Sequence, residues 1–176
     1  MKAREYQMDD PFRILDCALQ SGYTAPEASP TLPIWKHLPE QLCAAVTGAT
    51  AVGATLKEIS KVVWRVRAEL HGKPESDTTG EMTRAYARLR LGLHYLAYRE
   101  RRLGVVELLT QGWFVADSYY CEVDPRPFLR LRAELEAGKP VEDRVAALFA
   151  PYVEQAAQCV ERWGLQVARS ETGPTK

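Results

Sequence analysis

The chain has 176 residues, 46% of them hydrophobic and 26% charged, with 23 basic residues against 23 acidic ones. A chain of that size buries enough surface to fold without disulfide or metal staples, and the composition excludes wholesale disorder. The neutral total argues against a strongly basic, non-specific nucleic-acid binder. Charge is uneven, however: residues 51–110 carry 11 basic and 7 acidic side chains, while both flanking stretches are net acidic.

Asp10-Pro11 reads as a helix opening, with Asp as N-cap and Pro in the first turn. Phe12, Leu15 and Leu19 then share a face until Ser21-Gly22. Residues 23–33 hold Pro26, Pro30 and Pro33 and are expected to form a loop. A short helix over residues 39–47 is followed by a run of small residues, 47–54, expected to be either a flexible turn or a close approach of two backbones. Thr55 and Glu58 have capping-box spacing, and Ile59, Val62, Val63, Val66 and Leu70 occupy one arc of the helix that follows, closed by Gly72 and Pro74.

Thr78 and Glu81 form a second capping-box pattern. Met82, Tyr86, Leu89, Leu93 and Leu96 then recur at alternating steps of four and three, which predicts a helix with one buried seam. A phase slip near residues 101–104 predicts a break. The next series is Val106, Leu109, Trp113, Ala116 and Tyr120, the alternative for residues 105–123 being a hairpin around Gln111-Gly112. Asp124-Pro125 opens a helix carrying Phe128, Leu131 and Leu135. Residues 141–163 form the last one, in which Pro151 is expected to cause a kink or a split. The expected fold is an all-α, single-domain bundle of six to eight helices over residues 9–164, between a flexible N-terminus (1–8) and a polar tail (165–176).

Few patterns carry chemistry. Cys17, Cys43, Cys121 and Cys159 contain no C-x-x-C pair, so neither structural zinc nor an exported disulfide scaffold is expected, only buried thiols. Residues 48–55 have the G-x4-G spacing of a phosphate loop, but Ala54 stands where the lysine belongs. His37, His71 and His94 are far apart and no E-x-x-H is present, so no metal and no cofactor is expected. Asp9, Asp10 and Asp16 are explained as helix-start acids offsetting the macrodipole. Met1 to Glu5 contain no apolar export core, and the longest uncharged run, residues 41–56, is too short to span a bilayer. A cytoplasmic protein is expected.

The distinctive pattern is cationic. On a helical wheel Arg84, Arg88, Tyr95, Tyr98, Arg99 and Arg102 fall within about 100°, opposite the apolar seam. Lys57, Lys61 and Arg65 form a similar strip on the preceding helix, with Trp64 at its edge. Guanidinium groups grip phosphate oxygens and aromatic rings stack on unpaired bases, so two such strips are expected to line a groove for a nucleic-acid backbone, RNA or DNA. Arg88 and His94 also stand in an R-x5-H arrangement, similar in spacing to the R-x4–6-H of HEPN ribonucleases. That resemblance implies His94 as proton carrier and Arg88 as stabiliser of phosphorane charge. It covers two residues, and Leu89 replaces the polar residue that usually follows the arginine. The expectation is therefore a non-catalytic accessory subunit of a nucleoprotein assembly, with a protein partner or a second copy docking on its apolar seams. A HEPN-like ribonuclease or a purely protein-binding regulator are the alternatives. No membrane contact and no small-molecule substrate is expected.

Overall fold

A computed structural model describes residues 10–23, 32–72, 80–118 and 122–167, with side chains described from residue 84 onward in the third stretch. These residues hold eight helical segments: α1 (Pro11–Gln20), α2 (Pro33–Lys36), α3 (Glu40–Ala51), α4 (Leu56–His71), α5 (Gly80–Arg99), α6 (Val105–Ser118), α7 (Arg126–Glu136) and α8 (Glu142–Trp163). The chain is an all-α helical bundle. Among the described residues the one β contact is an isolated antiparallel bridge between Tyr23 and Val167, and no helix is long and apolar enough to cross a membrane. Residues 1–8, Pro74, Thr78, Tyr120 and Cys121, and the side chains of Glu81 and Met82, lie outside what is described.

Local chemistry starts and stops the helices where the sequence places the signals. The Asp10 carboxylate accepts from the Phe12 N–H at 3.1 Å, capping α1. Thr55 and Glu58 close a reciprocal capping box on α4, the Thr55 N–H donating to Glu58 Oε2 at 2.7 Å. Asp124 Oδ1 accepts from the Arg126 N–H at 3.0 Å ahead of α7. The predicted break after the long seam lies between α5 and α6, where Arg101 takes φ 58° and the Arg102 N–H returns to the Ala97 carbonyl at 2.9 Å.

Five expectations are corrected. Pro33 opens the short helix α2 instead of closing a loop, because the first turn of a helix needs no N–H from that residue. Residues 47–51 continue α3, with Thr47 and Thr50 hydroxyls donating to carbonyls one turn back, and nothing lies near Gly48. Residues 105–118 are helical, as expected, and do not form the alternative hairpin. The buried face of α6 is Leu108, Leu109, Gly112, Val115 and Ala116, because α6 packs between α5 and α7, and Val106 is left exposed. Pro151 does not split α8, which continues through it; it sits on an exposed position, where the lost hydrogen bond falls on the wet side. The polar tail begins later than residue 165: Leu165 is buried and Val167 bridges Tyr23.

Two apolar cores flank α5. Tyr86, Leu89, Leu93 and Ala97 face the first, which also gathers α1 to α4 and the end of α8. Ala87 and Leu91 face the second, formed with α6, α7 and the first half of α8. Gly92 makes the joint to α8: a Cβ there would lie 2.6 Å from the Ala156 Cβ and closer still to the Tyr152 carbonyl oxygen. Gly92→Ala is therefore expected to lower the unfolding free energy by about 2 kcal/mol, from overpacking two helices that cannot separate locally. Gly48→Ala, in open space on α3, should be neutral or slightly stabilising. Urea midpoints of the two variants check this, with equal effects counting against the close crossing.

Candidate nucleic-acid interface

On α4, the four-residue spacing of Lys57, Lys61 and Arg65 keeps all three on one exposed face. None of them has an ion pair among the described residues. Trp64, at the edge of the strip, is 37% exposed but already engaged. The Arg67 guanidinium lies 5.2 Å from its ring centre, and the Asp16 carboxylate lies nearby. A ring with a guanidinium already on its face is poorly placed to stack on a base there.

The arc expected to face outward on α5 is interrupted. At 100° per residue Leu91 falls inside it, between Tyr98 and Arg84, and Leu91 is 0% exposed. Tyr95 stacks on Phe149 with ring centres 5.5 Å apart and 16° between planes, and Tyr98 leans on Tyr95 at 5.8 Å. Both tyrosines are half-buried against the second core. The solvent-facing ridge is thus divided into two ends separated by packed aromatic and aliphatic side chains. At the N-terminal end, Arg84 pairs with Glu122 at 2.6 Å and Arg88 is exposed. At the other end Arg99 and Arg102 are exposed, and neither they nor Arg88 has an ion pair among the described residues. Arg88 and Arg99 are about 16 Å apart along the axis, at 1.5 Å per residue. Helices α4 and α5 both pack on α1, so the two strips do not line one groove between neighbouring helices.

Arg88 and His94 are likewise kept apart. They lie about 120° from one another around α5, with Arg88 in solvent and His94 2% exposed. His94 Nδ1–H donates to the Arg90 carbonyl at 2.7 Å, the i to i−4 contact that closes the ring onto its own helix.

The sequence reading missed a buried polar cluster beneath α1. Asp10 binds Arg67 at 2.7 Å and lies 3.6 Å from Arg13, whose guanidinium sits 5.1 Å from the centre of the Tyr86 ring. Asp16, read from sequence as a helix-start acid, is in mid-helix and buried, with Gln20 Nε2 donating to its Oδ2 at 2.7 Å and Trp64, Ser60 and the charge of Arg90 nearby. Its signal was present: Arg13 and Asp16 interrupt a ten-residue helix that is apolar on every other core position. Cys17 and Cys159 are buried thiols; burial pushes Cys159 up to about 11, Cys17 higher still, and leaves neither a nucleophile. No group of three His, Cys, Asp or Glu side chains able to hold a metal ion occurs among the described residues.

No protein-family model, curated protein or solved structure matches the chain. The reading of function accordingly rests on the residues themselves.

Burial holds the His94 imidazole down at about 4, the Arg90 charge adding to this against the pull of the Arg90 and Gln20 backbones. Between pH 6.5 and about 4 the unfolded chain therefore takes up a proton that the folded chain refuses. The stability tied to neutral His94 is whole above pH 6.5 and is lost as pH falls through that window, roughly 3 kcal/mol in full. Asp16 acts in the opposite sense: burial raises its carboxyl, so acid relieves the cost of burying its charge. His94→Gln, which keeps a donor for the Arg90 carbonyl, should flatten the fall in urea midpoint between pH 7 and 4, and Asp16→Asn should steepen it. A pH profile unmoved by His94→Gln would contradict the assignment.

Proposed function

We propose that this chain is a non-catalytic helical accessory protein that contacts a nucleic-acid backbone through Lys57, Lys61 and Arg65 on α4, through Arg88 near the middle of α5, and through Arg99 and Arg102 at and just beyond its C-terminal end. One contrast carries the reading. Arg67, Arg84, Arg126, Arg132 and Arg144 each reach a carboxylate, whereas these six cations, like Lys36, Arg101, Arg130 and Lys139, stand exposed without an ion pair among the described residues, and three of them share one face of α4. Unpaired guanidinium and ammonium groups on rigid helices hold their positions for phosphate oxygens and release counterions on contact. Tyr95 and Tyr98 are taken up by packing and the Trp64 ring carries the Arg67 guanidinium, so the contact made by the cations is with sugar-phosphate backbone. Such contact fixes position without reading sequence.

Fluorescence anisotropy with a single-stranded RNA and a DNA duplex between 50 and 200 mM salt tests this. Affinity should fall steeply with salt, and replacing Lys57, Lys61 and Arg65 together by Gln should weaken binding about tenfold or more and reduce the single-strand salt slope by about 2. Arg126→Gln, which removes a cation already chelated by Asp124, should leave both unchanged. Absence of binding at 50 mM salt, or a triple variant with the wild-type slope, would overturn the proposal.

A further inference from the structure

Where α5 ends, the surface of the bundle holds a half-open cleft of about 500 Å³. Its position follows from three local events. The chain leaves α5 through Arg101 in the left-handed region, which brings Glu100 and Arg102 to the cavity. Gly164, also left-handed, turns the chain out of α8 so that residues 165–167 fold back along it. The Tyr23–Val167 bridge then fastens that strand to the end of α1.

The lining is divided by chemistry. Leu96, Val160 and Leu165 supply apolar wall, and Tyr23, Glu100, Arg102 and Gln166 supply the polar groups. Glu100 and Arg102 are both exposed and, among the described residues, form no ion pair with each other or with another side chain. Tyr23 is 2% exposed, and its side chain lines the cleft. Burial, followed by the negative charge of Glu100, pushes that phenol well above its ordinary range, so it remains an O–H donor. The cleft thus presents a phenol O–H donor beside a carboxylate and a guanidinium that are not paired with each other. Its size lies within the roughly 300–1,000 Å³ of small-ligand sites.

We propose that this cavity takes a guanine nucleotide, the base lying between the apolar walls with its N1–H and N2–H donors on Glu100 and its phosphate on Arg102. A carboxylate only accepts, and among the common bases guanine alone offers two adjacent, parallel N–H donors to it. A guanidinium matches phosphate with forked hydrogen bonds. Tyr23 and Gln166 remain for the O6 edge and the sugar. Arg99 and Arg101, in the same turn, extend cationic surface beyond Arg102, where the C-terminal carbonyls of α5 also favour positive charge. The nucleotide is either free or an unpaired guanosine within a strand; only the strand-borne form rests on the proposed function above.

The full chain is titrated with guanosine monophosphate and cytidine monophosphate by calorimetry, and with two ten-nucleotide RNAs by anisotropy, one all uridine and one with a single central guanosine. Guanosine monophosphate should bind at least tenfold more tightly than cytidine monophosphate. Glu100→Gln should abolish that preference while leaving all-uridine binding unchanged, and Arg102→Gln should weaken the nucleotide. Ala157→Phe, at an exposed lining position, should block the cavity without loss of fold, as read by an unchanged urea midpoint. Tighter binding of the guanosine-containing RNA supports the strand-borne form, and binding of the monophosphate alone supports the free form. Equal binding of both RNAs with no monophosphate binding overturns the cavity proposal and leaves the backbone reading intact. Monophosphate binding without any RNA binding overturns the backbone reading and keeps the cavity.

Discussion

The close crossing of α5 and α8 at Gly92 organises the molecule. With no side chain at that point, the α8 backbone around Tyr152 and the methyl of Ala156 rest directly on α5. Helix α8 can then contribute Phe149 to one core and Ala156, Cys159 and Trp163 to the other. Helix α5 becomes a shared wall, buried on both flanks, whose leucines at 89, 91 and 93 are fully enclosed. A larger residue at 92 would push α8 outward, opening both cores together because close-packed interiors do not stretch.

This central position decides which polar groups remain available. Arg90 and His94 are drawn inside with α5, and their neighbours on α1 and α4 supply the partners that make burial tolerable: Asp10 for Arg13 and Arg67, and Asp16 beside Arg90. Tyr95 and Tyr98 are taken up by packing. Its cations reach water at Arg88, near mid-helix, and where α5 emerges from the bundle, at Arg99 and, just beyond it, Arg102. The same emergence creates the cavity, because the chain must turn there and the end of α8 must cover what α5 no longer fills.

The sequence displays helix boundaries and the main seam well, because those depend on local chemistry. The Asp10 cap, the Thr55–Glu58 box and the four-and-three cadence through Leu89 and Leu93 are decided within a few residues. It displays the surface of α5 poorly. A helical wheel separates an apolar seam from the face opposite, but it cannot show that a second core covers that face; Leu91 was the one residue that could have signalled it. Arg13 and Asp16 were similarly legible only as an inconsistency, two charges on a helix whose other interior residues are apolar. The cavity was beyond reach, since it joins residues around 23, 100 and 165 that only the tertiary fold brings together.

Native-state hydrogen exchange tests the central role of α5 most directly. If α5 is the wall common to both cores, its amides from Leu89 to Ala97 should exchange only through global unfolding, as slowly as any in the chain, with an exchange free energy equal to that from urea melts. Faster exchange in α5 than in α1, or two groups of α5 amides opening independently with α6–α7 and with α1–α4, would contradict it.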